Sequence, residues 1–229
     1  MLKNLGQDIW IYDGPKINFA GADMHTRMTV VRLTNGRLWV HSPTRLDADS
    51  RAAIETLGGE VAALVAPNKY HHLYIEAWID AFPHAHVYAE PHVQAKVASL
   101  SDADILTDSA PPTYAADLEQ VIFTGNRLFQ EAVFFHKHSK TVIFTDLFIN
   151  QPLDDVSGLP RLFLQFEGVA YPSGGIPRLY RWFSWGRSAQ RRAAARVRQW
   201  QPERLTFAHG PGLDGSVREI LDQQFAWLD

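Results

Sequence analysis

Val61 to Val65 (VAALV) is apolar at every position, without the polar alternation of a strand that keeps one face in water. A run of this length, with Gly58-Gly59 before it and Pro67-Asn68 after it, reads as a strand covered on both faces. Such a strand belongs in a layered α/β fold. The flanking sequence supplies the layers. Asp47 to Leu57 predicts a helix, with Asp and Ser near its start and the glycine pair at its stop. Leu73 to Ala81 predicts a second helix, His86 to Ala89 a short strand, and Pro91 to Ser99 a third helix with proline in its first turn. Upstream, Asp8 to Tyr12 alternates as a short strand. Met28 to Leu33 and Arg37 to His41 flank Asn35-Gly36, the strongest short signal for a hairpin, and Ser42-Pro43 stops that arm.

After a polar, proline-containing stretch from Ser101 to Asp117, strand composition returns at Gln120 to Phe123, Ala132 to His136 and Thr141 to Thr145. The pattern loosens between Gln151 and Trp185. Ser188 to Trp200 predicts a helix rich in alanine and arginine, Leu205 to Ala208 a last strand, and Ser216 to Leu228 a closing amphipathic helix. Two strand-rich halves, each closed by helices, predict two mixed β-sheets packed face to face with helices outside: a four-layer αββα sandwich. With 229 residues, 46% hydrophobic and 21% charged, the chain can bury a full core. No Gly/Ser linker or short repeat divides it, so residues 1–229 are read as one domain.

Ligands of open α/β structures sit beyond the carboxyl ends of strands. Three apolar strands here run straight into groups that can bind metal: His71-His72 after VAALV, Asp146 after TVIFT, and His209 after LTFA. The chain has no cysteine, which excludes disulfides, thiolate zinc sites, iron–sulfur clusters and a cysteine nucleophile. Any metal must be held by His, Asp, Glu and water, a donor set that suits zinc or iron. Spacing alone leaves an ordinary alternative. A lone His at a strand end is commonly a hydrogen-bonded surface residue, and an Asp there a turn or helix cap. Adjacent histidines in a regular strand point to opposite faces, so His71 and His72 can share an ion only from a loop.

In order and strand context these stretches resemble the metallo-β-lactamase fold superfamily over essentially the whole chain. That family carries a strand followed by a His-x-His-x-Asp-His loop, a lone His near a glycine, a strand ending in Asp, and a late strand ending in His-Gly. Here Ala66-Pro67-Asn68-Lys69-Tyr70-His71-His72 stands at the loop, Phe144-Thr145-Asp146 at the bridging Asp, and Ala208-His209-Gly210-Pro211 at the final turn. More narrowly, the chain is similar to a divergent branch of unknown function with Pro-Asn-x-x-His-His in place of the usual loop.

The family's opening histidines fall on Pro67 and Lys69, and its middle His falls near Gly125, at Asn126 and Arg127, so its first metal site is lost. The resemblance implies a second site on His71, His72, Asp146 and His209, with His71 replacing the family's Asp. One divalent ion would sit there, zinc first, with iron or manganese as alternatives. Lys69 either replaces part of the lost positive charge or is a solvated lysine. Lys69 and Asp146 are the candidate catalytic groups. Asn68, Asn126, Arg127, Arg178 and Arg181 are candidate substrate contacts. Glu131 either supports the ligands from behind or sits on a sheet edge. His136 and His138 flank a hairpin turn and are expected on the surface, as are His84, His86 and His92.

From Gly168 to Pro202 the chain has seven arginines and no acidic residue, with Tyr180, Trp182, Phe183, Trp185 and Trp200 among them. This mixture suits phosphate or carboxylate capture, single-stranded nucleic acid or an anionic membrane surface. It equally describes a packed helix with solvated or paired arginines. In the superfamily the equivalent insertion resembles a lid beside the metal cleft, so a small anionic molecule is the expected ligand. Exposed aromatic residues there also offer a homodimer patch. The net charge of −3 makes no global case for nucleic acid. Two functions stay open: a mononuclear metal-dependent hydrolase acting on a small anionic substrate, or a degenerate, metal-free member that binds a ligand or partner. With no signal peptide and no apolar run of transmembrane length, a cytoplasmic location is expected.

Overall fold

Seven strands form the first sheet in the order in which the chain makes them: β1 (Leu2–Gly6), β2 (Ile9–Phe19), β3 (Ala22–Arg32), β4 (Leu38–His41), β5 (Val61–Ala66), β6 (His86–Ala89) and β7 (Asp104–Ile105). The structure is a computed structural model that describes residues 1–19 and 22–229. β1 to β4 are antiparallel neighbours and β4 to β7 run parallel. Parallel neighbours need crossovers, which α1 (Ala48–Leu57), α2 (Ile75–Ala81) and α3 (Pro91–Lys96) provide. A capping box starts α1: Asp47 accepts from Ser50 N at 3.0 Å while Ser50 Oγ accepts from Asp47 N at 2.9 Å.

The second sheet has β8 (Leu118–Phe123), β9 (Glu131–His136), β10 (Thr141–Ile143), β11 (Arg204–Thr206) and β12 (Leu213–Asp214) in the order β12-β11-β10-β9-β8. Only β10 and β11 are parallel there, joined through α4 (Gly158–Glu167), α5 (Arg178–Trp182) and α6 (Arg187–Gln199). α7 (Val217–Phe225) follows β12.

Alternate side chains show the layers. Ala63 and Val65 of β5 join Trp39, Phe134 and Ile143 in a core between the sheets. Leu64 and Ala66 point the other way, to Ile54 of α1, Trp78 of α2 and Val93 of α3. On the second sheet Val133, Phe135 and Val142 back onto Ala194 and Val197 of α6 and Leu221 and Phe225 of α7. The result is an αββα sandwich, and VAALV is apolar throughout because each of its faces meets a core.

Some expectations change. β2 continues through Phe19, well past Tyr12, because Asp13, Lys16 and Asn18 give it a polar aspect that hides an edge ribbon. The stretch from Gln151 to Trp185 contains α4 and α5, which have no clean buried stripe to reveal them. His136 is buried, not exposed; its Nδ1 lies 2.8 Å from Ser139 Oγ. His138, His84, His86 and His92 are exposed. Among the described residues no helix is long and apolar enough to cross a membrane.

Burial, reinforced by the His138 charge, pushes the His136 imidazole down to about 4. The unfolded chain protonates this ring near pH ~6.5 and the folded chain only near pH 4, so stability present above pH ~6.5 falls as pH drops between them. At pH ~5 this costs about 2 kcal/mol. Urea denaturation of His136→Gln is expected to show that much less loss between neutral and acid pH than the parent chain.

Candidate metal centre

Side chains just beyond the carboxyl ends of β5, β10 and β11 converge on one point. Asp146 is central: its Oδ2 lies 3.2 Å from His71 Nε2 and its Oδ1 3.2 Å from His209 Nε2. The three ligand atoms all fall within 4.8 Å of one another. Each imidazole is fixed from behind. His71 Nδ1 is 2.6 Å from Ser42 Oγ, next to the end of β4, and His209 Nδ1 is 2.9 Å from the His25 carbonyl oxygen of β3. Arg27, also on β3, donates from Nη1 to the carbonyls of Phe207 and Gly210 and so ties the first sheet to the turn that carries His209. Gly210 has φ +91°, and a Cβ there would fall 1.7 Å from the Asn150 carbonyl oxygen. Only glycine can follow His209 in this turn.

The hydrogen bonds test whether a metal fits. A carbonyl oxygen only accepts, so His209 Nδ1 carries a proton and donates to His25. In the neutral ring Nε2 is then a lone pair, yet it faces a carboxylate oxygen at 3.2 Å. Two acceptors in contact require a shared proton or a metal ion between them. Donors bound tetrahedrally at about 2.0–2.2 Å would lie roughly 3.3–3.6 Å apart; each histidine here meets a different Asp146 oxygen at 3.2 Å, and the three ligand atoms lie within 4.8 Å of one another. Metal-bound histidines typically donate their other nitrogen to such a partner. The residues present therefore fit a divalent ion, with three protein ligands and room for water or substrate.

Behind the ligands lies Glu131, fully buried. Its carboxylate accepts from Thr145 N at 2.8 Å, Asp146 N at 2.8 Å, Leu147 N at 3.0 Å and Asn68 Nδ2 at 3.0 Å. The same Asn68 amide reaches Asp146 Oδ2 at 2.8 Å, while Asn68 Oδ1 accepts from the backbone of Tyr70 and His71. Burial and the nearby Asp146 charge push Glu131 upward. Burial opposes ionisation of Asp146 too, but His71 and His209 hold its carboxyl well below the usual carboxylate range. Burial works likewise against a charged His71, and the Asp146 carboxylate overcomes it to raise that imidazole.

Other expected site residues go elsewhere. His72 does not join the cluster, because successive side chains diverge here even in a loop. Burial and then the Lys96 charge of α3 lower its imidazole. Lys69 sets its ammonium 5.0 Å from the Tyr70 ring centroid and is absent from the cavity wall described below. Asn68 is buried and braces ligands. Asn126 is a clamp: its amide donates to Tyr180 O at 2.6 Å and Ser184 Oγ at 2.8 Å. Arg127 stacks on Trp185, 3.9 Å from the ring centroid. Arg178 lies over Phe166, and Arg181 bonds Ile176 O and Gln224 Oε1. Sequence reasoning missed Ser42, His25 and Arg27, whose roles come only from cross-sheet contacts.

His71, Asp146 and His209 open into a cavity of about 400 Å³. Met24, Phe129, Ile149, Leu164, Val169 and Tyr180 are among its walls, and no lysine or arginine is present among the described lining residues. Glu167 also lines it, with Oε2 accepting from Leu179 N at 3.0 Å to hold α4 against α5.

Fold and site together define a chain of the metallo-β-lactamase fold with a His/Asp/His group that can hold metal. A metallo-β-lactamase from Pontibacter korlensis superposes with a TM-score of 0.66 at 14% identity, covering 100% of this chain and 98% of that one. The mono-zinc form of the metallo-β-lactamase FIM-1 from Pseudomonas aeruginosa gives 0.64 at 13%, covering 98% and 93%. The metal-soaked Flv1 flavodiiron core from Synechocystis gives 0.64 at 9%, covering 100% and 60%. At these identities the likeness is one of fold. Residues 6–157 match a domain of unknown function, DUF4336, and the chain belongs to that family. No curated protein matches it by sequence.

Glu131→Gln would turn an amide donor toward N–H groups that need an acceptor. Urea denaturation is expected to find it destabilised by about 2–4 kcal/mol; a change under ~0.5 kcal/mol would show that the hub does not hold the loop.

Proposed function

We propose that the chain is a mononuclear metal-dependent hydrolase whose ligands are His71, Asp146 and His209. One observation carries this reading: a His/Asp/His cluster, each histidine held by a fixed partner, opens into a cavity of about 400 Å³. Zinc is the preferred ion because two imidazoles and a carboxylate with one open position are a common catalytic zinc set. Such an ion supplies a Lewis acid that activates water for hydrolysis. Ser42 and the His25 carbonyl orient the imidazoles, and Asn68 orients Asp146. Asp146, held ionised between the histidines, is the anionic ligand of the cluster.

The cavity walls favour a neutral, largely apolar substrate over the small anion that the arginine-rich segment suggested. No cation lines the cavity among the described residues, while Asp146 and Glu167 do. An anion would meet like charge in an apolar setting, where the penalty is greatest. Esters and lactones with apolar acyl groups fit: water breaks the acyl C–O bond and gives a carboxylic acid and an alcohol. FIM-1 in its mono-zinc form offers a precedent within the fold for a single ion.

Elemental analysis of protein purified without a metal-binding tag tests the site. About one equivalent of zinc, iron or manganese is expected, lost in His209→Ala and kept in His72→Ala. Ester hydrolysis should fall by at least ~100-fold in His209→Ala. Metal-free protein that takes up none on reconstitution would sink the proposal and favour a binding protein.

A further inference from the structure

Solvent-facing positions of α4 and α5 are apolar where a surface helix normally carries polar groups. Leu159 is 81% exposed, Leu162 61% and Trp182 64%. Leu159, Leu162 and Phe166 share one face of α4 at helical spacing, and Phe166 carries that face to Trp182 of α5. Phe166 meets Trp182 edge-on with centroids 5.7 Å apart, and the Arg178 guanidinium lies over the Phe166 ring, 5.4 Å from its centroid. Charge in this region has one sign. Arg161, Arg178, Arg181 and Arg187 fall between residues 158 and 187, and the sole acid there, Glu167, is buried.

We propose that this patch docks on an anionic lipid surface and that the adjoining cavity takes an acyl chain from it. Leucine, phenylalanine and tryptophan flanked by arginine form the composition that seats a helix at a charged bilayer interface. The cavity opens beside the patch: Phe163 of α4, Tyr70 and Leu73 are each exposed and each also line it. Pro160, Leu164 and Leu179 of the same two helices continue into its wall. One surface therefore runs from solvent into an apolar chamber that contains the candidate metal ligands. A second copy of the chain fits less well, because a two-fold contact sets the same arginines against each other with no exposed acid in the patch to pair them. The docking stands on the patch alone; the acyl substrate also rests on the hydrolase reading above.

The test uses the full chain with its metal and vesicles of phosphatidylcholine, with and without phosphatidylglycerol. Co-sedimentation is expected to be at least ~10-fold stronger with the anionic lipid. The triple variant Leu159→Glu, Leu162→Glu, Trp182→Glu should lose ~10-fold or more of that binding. These three positions are exposed and outside the cavity, so hydrolysis of a short water-soluble ester should be unchanged, while hydrolysis of a vesicle-borne ester falls. No binding of the parent chain to anionic vesicles, or equal binding of the variant, overturns docking. So does a parent dimer that the variant dissociates while vesicles are ignored. Vesicle binding without hydrolysis of either ester keeps the docking surface and removes the hydrolase and its acyl substrate. Soluble-ester hydrolysis without vesicle binding does the reverse.

Discussion

The buried carboxylate of Glu131 holds the functional edge of the sandwich together. Three consecutive backbone N–H groups, from Thr145 to Leu147, point at it, and Asn68 from the opposite sheet supplies a fourth donor. Without that carboxylate the chain leaving β10 would bury three unpaired donors, each costing about 1–3 kcal/mol. Asn68 passes the constraint onward, because its other contacts fix Asp146 and the backbone of Tyr70 and His71. The two sheets are joined again beside it, where Ala132 N donates to the Pro67 carbonyl at 2.9 Å. Ligand geometry is thus set by buried hydrogen bonds, and not by the rotamers of exposed side chains.

This hub explains what the Pro-Asn-x-x-His-His loop does. Asn68 accepts from the amides of Tyr70 and His71, curling the loop so that His71 turns inward to Asp146. One residue further on, the side chain leaves in another direction, and His72 comes under the charge of Lys96 instead. Adjacent histidines look equivalent in the sequence. The turn made by Asn68 separates them.

Much of the architecture was legible because strand burial leaves a compositional mark. VAALV, TVIFT and LTFA each end at a residue of the cluster or its loop, and the Asn35-Gly36 hairpin and the Asp47 cap stand where local chemistry puts them. Elements whose partners are distant in sequence were harder to see. Glu131 opens an ordinary strand, and nothing local says that three amides await it. His136 follows the same logic: it precedes a turn, yet the packing of β9 buries it. The arginine-rich segment split in two. On α6, Arg196 and Arg198 pair with Glu119, Asp222 and Asp229 and serve packing. On α5 Trp182 stays outside, as Leu159 and Leu162 do on the preceding α4, so the helical period pointed to no clear core.

The apolar cavity and the charged cluster depend on each other. Glu131 and Asp146 place two carboxylates in a region of low polarity, where mutual repulsion is weakly screened. No lysine or arginine lines the cavity among the described residues, and burial and the Asp146 charge raise Glu131 while, against burial, the Asp146 carboxylate raises the His71 imidazole. A dication bound there would offset this negative charge and favour the uncharged imidazoles that bind metal best. Among the described residues the cavity wall offers no cation of its own to a ligand, and its only charged side chains besides the histidines are Asp146 and Glu167.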